Sequence, residues 1–553
     1  MTRFGVVLLL VCAALVSPLA QGAPRKVPPP VRLGTVSFPN SGAPAAQTDF
    51  LRGIAWLHSF MYEDAIDAFR AAQKADPAFA LAYWGEAMSF SQPLWFYEEV
   101  EQGRAALAKL APTAEARQAK ARTPREQGFM RAADALFGSG ELATRQAAHL
   151  RVMAELAAAN PADDEVQTFY ALALLATMPR GDAALPIRRQ AGGIAEVVFA
   201  RNPNHPGAAH YILHAYDHGT LAARALPAAR AYAKIAPAAS HALHMPAHTF
   251  LQLGVWDEAA ATDESSWNAS GTWAQRRGLS IASRDYHSLA WLQYEWTQQG
   301  RFSKTRDAIG AVNAAMAIQA PSARSQPQSP QHAGGHGYAE ASEIGRMSGE
   351  AALRNDRGSM RARYIIESER WQEMQGQTTF DNIEELFALG LASVNLGDAA
   401  RARVVIDEFR KVVAPSQPAE LREQGEVMLR ELEALDLFAQ GRQVEAFATL
   451  DRASALQARM PRPIGRPFPV KGVDELYGEL LLQVGRPKEA IVWFDRALTR
   501  TPNRSRAVLG LARAYRNAGD AVKARSTYTR FLANYRLADP GLPEVAEARD
   551  AVR

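Results

Sequence analysis

From Phe50 onward, apolar residues recur every three or four positions in runs of about a dozen residues. Gly, Pro or Asp breaks the runs. Phe50–Pro77 shows the pattern: small residues at Gly53, Ala65 and Ala72 alternate with large ones at Trp56 and Phe69, and Pro77 closes the unit. A period near 3.6 with a break in the middle predicts two amphipathic helices joined by a turn. The same spacing returns at Gly478, Leu481, Ala490, Phe494, Ala497 and Pro502, and one period later at Ala512, Tyr515, Gly519, Ala524 and Tyr528. Weaker copies stand at Gly390/Gly397/Ala402 and Ala434/Gly441/Ala446. Residues 110–200 hold further helical segments, such as Glu165–Ala176, between Pro and Gly breaks. Abundant Ala and few β-branched runs agree with an all-α chain.

This spacing resembles the tetratricopeptide repeat, a 34-residue helix–turn–helix with small residues where its two helices meet. With the closing proline at repeat position 32, Gly53, Trp56, Ala65, Phe69 and Ala72 fall at positions 8, 11, 20, 24 and 27. The resemblance implies an α-solenoid of helical hairpins around a concave groove. The first helix of each repeat lines that groove through positions 2, 5, 9, 12 and 13, where peptide-binding members contact their partners.

Chemistry concentrates in residues 204–250, which contain seven of the twelve histidines: His205, His210, His214, His218, His241, His244 and His248. His210, His214 and His218 recur every four residues, with Asp217 beside them, and His241, His244 and His248 recur at +3 and +4. Each set therefore lies on one helix face. In the repeat frame, His210, His214, Asp217 and His218 take positions 5, 9, 12 and 13. His241, His244 and His248 take positions 2, 5 and 9 of the next repeat, and His287 takes position 2 of the third. The resemblance thus turns both ladders into the groove on adjacent helices. Packed helices sit roughly 9 Å apart, which lets imidazoles from two of them meet at one ion. His214, His244 and His248 are the first candidate ligands, followed by His210, His218, His241, Asp217 and His287. The competing readings are a hydrogen-bonded polar core that sets helix register and a groove that responds to protons or anions.

The remaining sequence sets the context. Arg3, the apolar run from Gly5 to Val16, and Ala20-Gln21-Gly22 before Ala23 read as a cleavable signal peptide over residues 1–22. That places the mature chain in the periplasm or outside the cell, without a stable membrane anchor. An extended linker follows over 23–45, then a helical block over 46–320 that carries the histidines. A Gly/Pro/Gln-rich loop at 321–340 holds His332 and His336, as a solvated loop or a lid, and a C-terminal repeat block covers 341–553. The Pro-rich stretch from Met460, with Arg462, Arg466 and Lys471, reads as a connector. The sole cysteine is Cys12, so a mature chain has only His, carboxylate or backbone oxygen for a metal. A nitrogen and oxygen set suits Zn, Cu, Ni or Fe. The formal charge of +4 shows no basic run and gives no sign of a nucleic-acid partner.

No histidine is followed by Glu, no Gly-Lys pair exists, and no Gly-x-Ser-x-Gly elbow appears, which removes three common catalytic motifs. The stretches HPGAAHYILHAYD, HALHMPAH and AYWGEAM resemble a group of secreted bacterial tetratricopeptide proteins. The leading expectation is an exported binding scaffold whose groove holds a divalent metal ion or a protein or peptide segment. The alternatives are a metal-dependent hydrolase, with Asp217 as base to a metal-activated water, and a purely structural interaction module.

Overall fold

A computed structural model of the protein describes residues 31–179, 181–319, 349–416 and 419–553. The expected signal segment, residues 1–22, and the 321–340 loop with His332 and His336 lie outside the described residues. Those residues form 25 α-helices, most of them paired as antiparallel hairpins. The first hairpin is Pro44–His58 with Tyr62–Ala75. The histidine region supplies Pro206–Tyr216 with Ala222–Ile235, then Ser240–Leu253 with Trp256–Arg276. Tyr286–Gln298 with Phe302–Gln319 follows. Near the C-terminus stand Val473–Gln483 with Pro487–Arg500 and Ser505–Asn517 with Ala521–Asn534. The architecture is the expected all-α array of helical hairpins. Among the described residues the strand content is a short antiparallel pair, Ser91–Gln92 with Tyr97–Glu98, whose turn carries Trp95.

Small residues at the hairpin contacts explain the pairing. Phe494 lies between Gly478 of its own repeat and Gly510 of the next, where an added Cβ would come within 2.9 and 2.3 Å of its ring. Phe69 sits the same way between Gly53 and Gly85, at 2.7 and 2.4 Å. Gly478→Leu should therefore overpack the C-terminal hairpins and cost about 1–3 kcal/mol, read as a lower urea midpoint by circular dichroism. Position 15, the turn between the two helices, needs a left-handed backbone. It is glycine at Gly254, Gly300, Gly485 and Gly519, with φ from 67° to 82°. The first repeat instead places Phe60 there, at φ 54°.

The extended lead-in over residues 31–43 is docked, not loose. Phe38 is buried against Phe50, Trp84, Phe129 and Phe169, and Thr35 N–H donates to the Asn204 carbonyl at 2.8 Å. The core divides near residue 260 and not at the 321–340 loop: residues between Ala260 and Ala315 share one apolar cluster with residues from Leu353 to Ala514. The last repeats also touch the histidine repeats. Trp256 Nε1–H donates to the Asn503 carbonyl at 2.9 Å, Ser505 N–H donates to Gln298 Oε1 at 2.9 Å, and Gly465 packs on the Trp291 ring. The Pro-rich stretch read as a connector thus closes over a histidine-bearing hairpin. No helix among the described residues is long and apolar enough to cross a membrane.

Candidate metal centre

The histidines stand on the first helices of three consecutive hairpins, and their ring nitrogens gather into separate triads. His210 and His214, one turn apart on Pro206–Tyr216, meet His241 from the start of Ser240–Leu253. His210 Nε2 lies 3.0 Å from His214 Nε2 and 3.1 Å from His241 Nε2. One helical turn further along Ser240–Leu253, His244 and His248 meet His287 from the start of Tyr286–Gln298. His244 Nε2 and His248 Nε2 are 3.1 Å apart, and the His244 and His287 ring centroids are 4.8 Å apart. Within each triad one ring nitrogen per residue lies within 4.8 Å of the others. Nitrogens bound at about 2.1 Å around one tetrahedral ion stand roughly 3.4 Å from each other, so these pairs are spaced for an ion with a shift of a few tenths of an ångström.

The opposite ring edges are fixed. His210 Nδ1–H donates to the His58 carbonyl at 2.6 Å. His244 Nδ1 meets Asp263 Oδ1 at 2.6 Å, and His248 Nδ1 meets Asp217 Oδ2 at 2.9 Å. Gln252 in turn donates to the other Asp217 oxygen. The His58 carbonyl holds the His210 proton at Nδ1 and leaves its Nε2 lone pair toward the triad, and Asp263 and Asp217 orient the His244 and His248 rings. Burial drives His210 down to about 3, His244 to about 4 and His248 well below the ordinary histidine range. The rings are therefore neutral at pH 7, the state a metal requires. Burial also pushes Asp217 up to about 7, and raises Asp263, with the Asp285 charge adding to it, and Glu295, with the Asp263 charge adding to it, well above the carboxylate range.

The triads are covered, not open to a groove. His210, His244 and His248 are essentially inaccessible and His241 is half-buried. Phe60 lies over the first triad, with ring centroids 4.4, 5.6 and 5.5 Å from His210, His214 and His241, and Trp95 stands 5.6 Å from His241. Left-handed backbone at a bulky residue costs on the order of 1–3 kcal/mol, and such strain clusters at functional sites. Phe60 takes it where other repeats use glycine. Trp291 covers the second triad, 4.1, 5.1 and 5.5 Å from His248, His244 and His287.

Two of the sequence candidates stand apart from the triads. His218 lies at the edge, hydrogen-bonded to Asp182 Oδ1 at 3.0 Å and to the Thr220 hydroxyl at 2.9 Å. Asp217 lies behind the His248 ring, on the side away from Nε2. A third cluster was missed by sequence reasoning. His58 Nε2–H donates to Glu165 Oε2 at 2.8 Å, Tyr211 donates to His58 Nδ1 at 3.0 Å, and His205 Nε2 lies 3.4 Å from Glu165 Oε1. His205 Nδ1 accepts from Ala208 N–H at 3.1 Å, capping the Pro206 helix. Three of the four ring nitrogens are hydrogen-bonded, and the fourth, His205 Nε2, only lies against the Glu165 carboxylate. His58 occupies position 13 of the first repeat, a groove-facing position that the repeat frame exposes. Asp263 was missed as well. It stands at position 24, where Phe69 and Phe494 fill the core in other repeats, so a carboxylate there is the signal.

Glu165 gives a pH prediction. Burial would raise it, but the His58 charge and hydrogen bonds from His205 and His58 outweigh that and hold it at about 2. A depressed folded-state value contributes stability above the unfolded value near 4.5, which is lost as pH falls from about 4.5 toward 2. The contribution is on the order of 3 kcal/mol. Glu165→Gln should flatten the acid limb of a stability–pH curve over that window.

Residues 481–548 match the family model described as "Tetratricopeptide repeat". Among solved structures, a tetratricopeptide repeat protein from Parabacteroides merdae is similar at 13% identity, covering 57% of this chain and 97% of that one, with a TM-score of 0.26. Yeast Tom70 aligns at 12% identity over 92% of this chain and 95% of its own, with a TM-score of 0.28. A human IFIT1 dimer with m7Gppp-AAAA aligns at 12% identity over 91% and 92%, also with a TM-score of 0.28. No curated protein matches the chain. Residues 481–548 thus match the tetratricopeptide repeat by sequence, and helical hairpins continue along the described array. Such a scaffold is suited to protein interaction.

Proposed function

We propose that this tetratricopeptide-repeat scaffold is a metal-binding protein, holding a late first-row transition ion on the imidazoles buried inside its histidine repeats. One observation supports this reading above the others. His244 and His248 each turn Nδ1 to a buried carboxylate and Nε2 toward each other at 3.1 Å. At 3.1 Å the two Nε2 atoms share one hydrogen out of water, and a cation that takes its place meets both lone pairs. The chemistry such an ion supplies is Lewis acidity or, for copper and iron, electron transfer. The chain's own residues fix the rings, keep them neutral and exclude water. A peptide held in a groove by these histidines is the weaker reading, because Phe60, Trp95 and Trp291 lie over the rings. A hydrolase with Asp217 as base is also weaker, since that carboxylate backs His248 instead of facing the Nε2 side. Export to an oxidising compartment rests on residues 1–22, and a thiol-free mature chain fits it.

The test is metal analysis of tag-free protein after zinc loading and gel filtration. Bound zinc, reduced in His248→Ala, supports the reading, and no retained zinc or copper contradicts it. Asp217→Ala should weaken binding about 10–100-fold while leaving every ligand nitrogen in place, measured by competition with a chromophoric chelator.

A further inference from the structure

We propose that the centre holds two ions, one in each triad, because the ligand set is written once per repeat and occurs in two consecutive registers. This rests on the metal-binding reading above. In the repeat frame, His210 and His214 hold positions 5 and 9, and His241 holds position 2 of the following repeat. His244 and His248 hold positions 5 and 9 of that repeat, and His287 holds position 2 of the one after. Each triad is thus an i, i+4 pair from one first helix completed by the first turn of the next first helix. A step of one repeat along the solenoid carries the first set onto the second.

The surroundings repeat as well. The first ring of each pair is held from behind at Nδ1, His210 by the His58 carbonyl and His244 by Asp263. Each triad has its own aromatic cover, Phe60 for the first and Trp291 for the second. His241 and His244 share a helix, yet their ring centroids are 6.4 Å apart, whereas the i, i+4 partners are 4.7 and 5.0 Å apart. The ligand nitrogens of each triad lie within 4.8 Å of one another. The ligands are three imidazoles per ion, with carboxylates only behind them, so each site takes an imidazole-seeking ion such as zinc or copper and leaves it one further position.

Stoichiometry tests this directly. Tag-free full-length protein, stripped with chelator and titrated with zinc against a chromophoric competitor, should bind two ions per chain. His214→Ala and His248→Ala should each bind one, and the double variant none, with unchanged helical circular dichroism. If the alanine variants lose helicity, His214→Gln and His248→Gln replace them. One ion in the unmodified protein, lost in either single variant, overturns the pair and leaves a single shared centre. Two ions that are both lost in either folded single variant also overturn it, because the sites would not be separate. No ion at all removes the metal-binding reading itself, a distinct result.

Discussion

Saturating zinc should stabilise the histidine repeats by about 5 kcal/mol. An ion that binds only the folded state adds about 2.7 kcal/mol at a free concentration one hundred times its dissociation constant, and two sites double that. The gain is large because the unfolded chain scatters ligands that span residues 210 to 287 and come from three helices. In a repeat array such stabilisation passes to neighbouring hairpins through their shared faces. A zinc-loaded sample should therefore unfold at a clearly higher temperature than a chelator-treated one. His210→Ala/His244→Ala should remove the difference, because each triad loses the nitrogen at its centre. An equal zinc shift in that variant would mean the ion acts elsewhere.

Arg504→Ala should destabilise the C-terminal repeats by about 3–5 kcal/mol, with no change in metal content. Arg504 is buried, with Nε 2.7 Å from Glu475 Oε2 and a terminal nitrogen 2.7 Å from Glu367 Oε1, and it also donates to the Val470 carbonyl at 3.0 Å. Lys471, buried as well, binds Glu475 at 3.2 Å and Glu479 at 2.7 Å. Burial would raise Glu475, but the Arg504 and Lys471 charges dominate and hold it at about 2, as the anion. Removing the guanidinium takes the partner from Glu367 and leaves Glu475 with Lys471 alone in a low-dielectric interior, which is the costly case for a buried ion pair. Exchanging Arg504 and both carboxylates together for apolar residues should cost far less. Chemical denaturation of the single and triple variants separates these outcomes.

The array was legible because helical periodicity and small-residue contacts are local properties. Gly53, Ala65 and Phe69 reveal their roles by spacing alone, and the same spacing finds Gly478, Ala490 and Phe494. The histidine faces were legible for the same reason, since His210 and His214 share a stripe on any straight helix. The division into triads was not. It depends on which ring of the next helix completes each pair, and that is set by hairpin packing between residues 27 to 43 positions apart. His58 and Glu165 meet across 107 positions, and no local pattern couples them. Gly465 under Trp291 is the same kind of contact. It requires the chain to bring its last repeats against the histidine hairpins, which periodicity does not encode.

The most direct measurement is X-ray absorption at the metal edge of zinc-loaded, tag-free protein. The triads predict about three imidazole nitrogens per zinc at roughly 2.0–2.1 Å, with the multiple-scattering signature of histidine rings. A shell of oxygen ligands without that signature would place the ion on surface carboxylates and contradict the account.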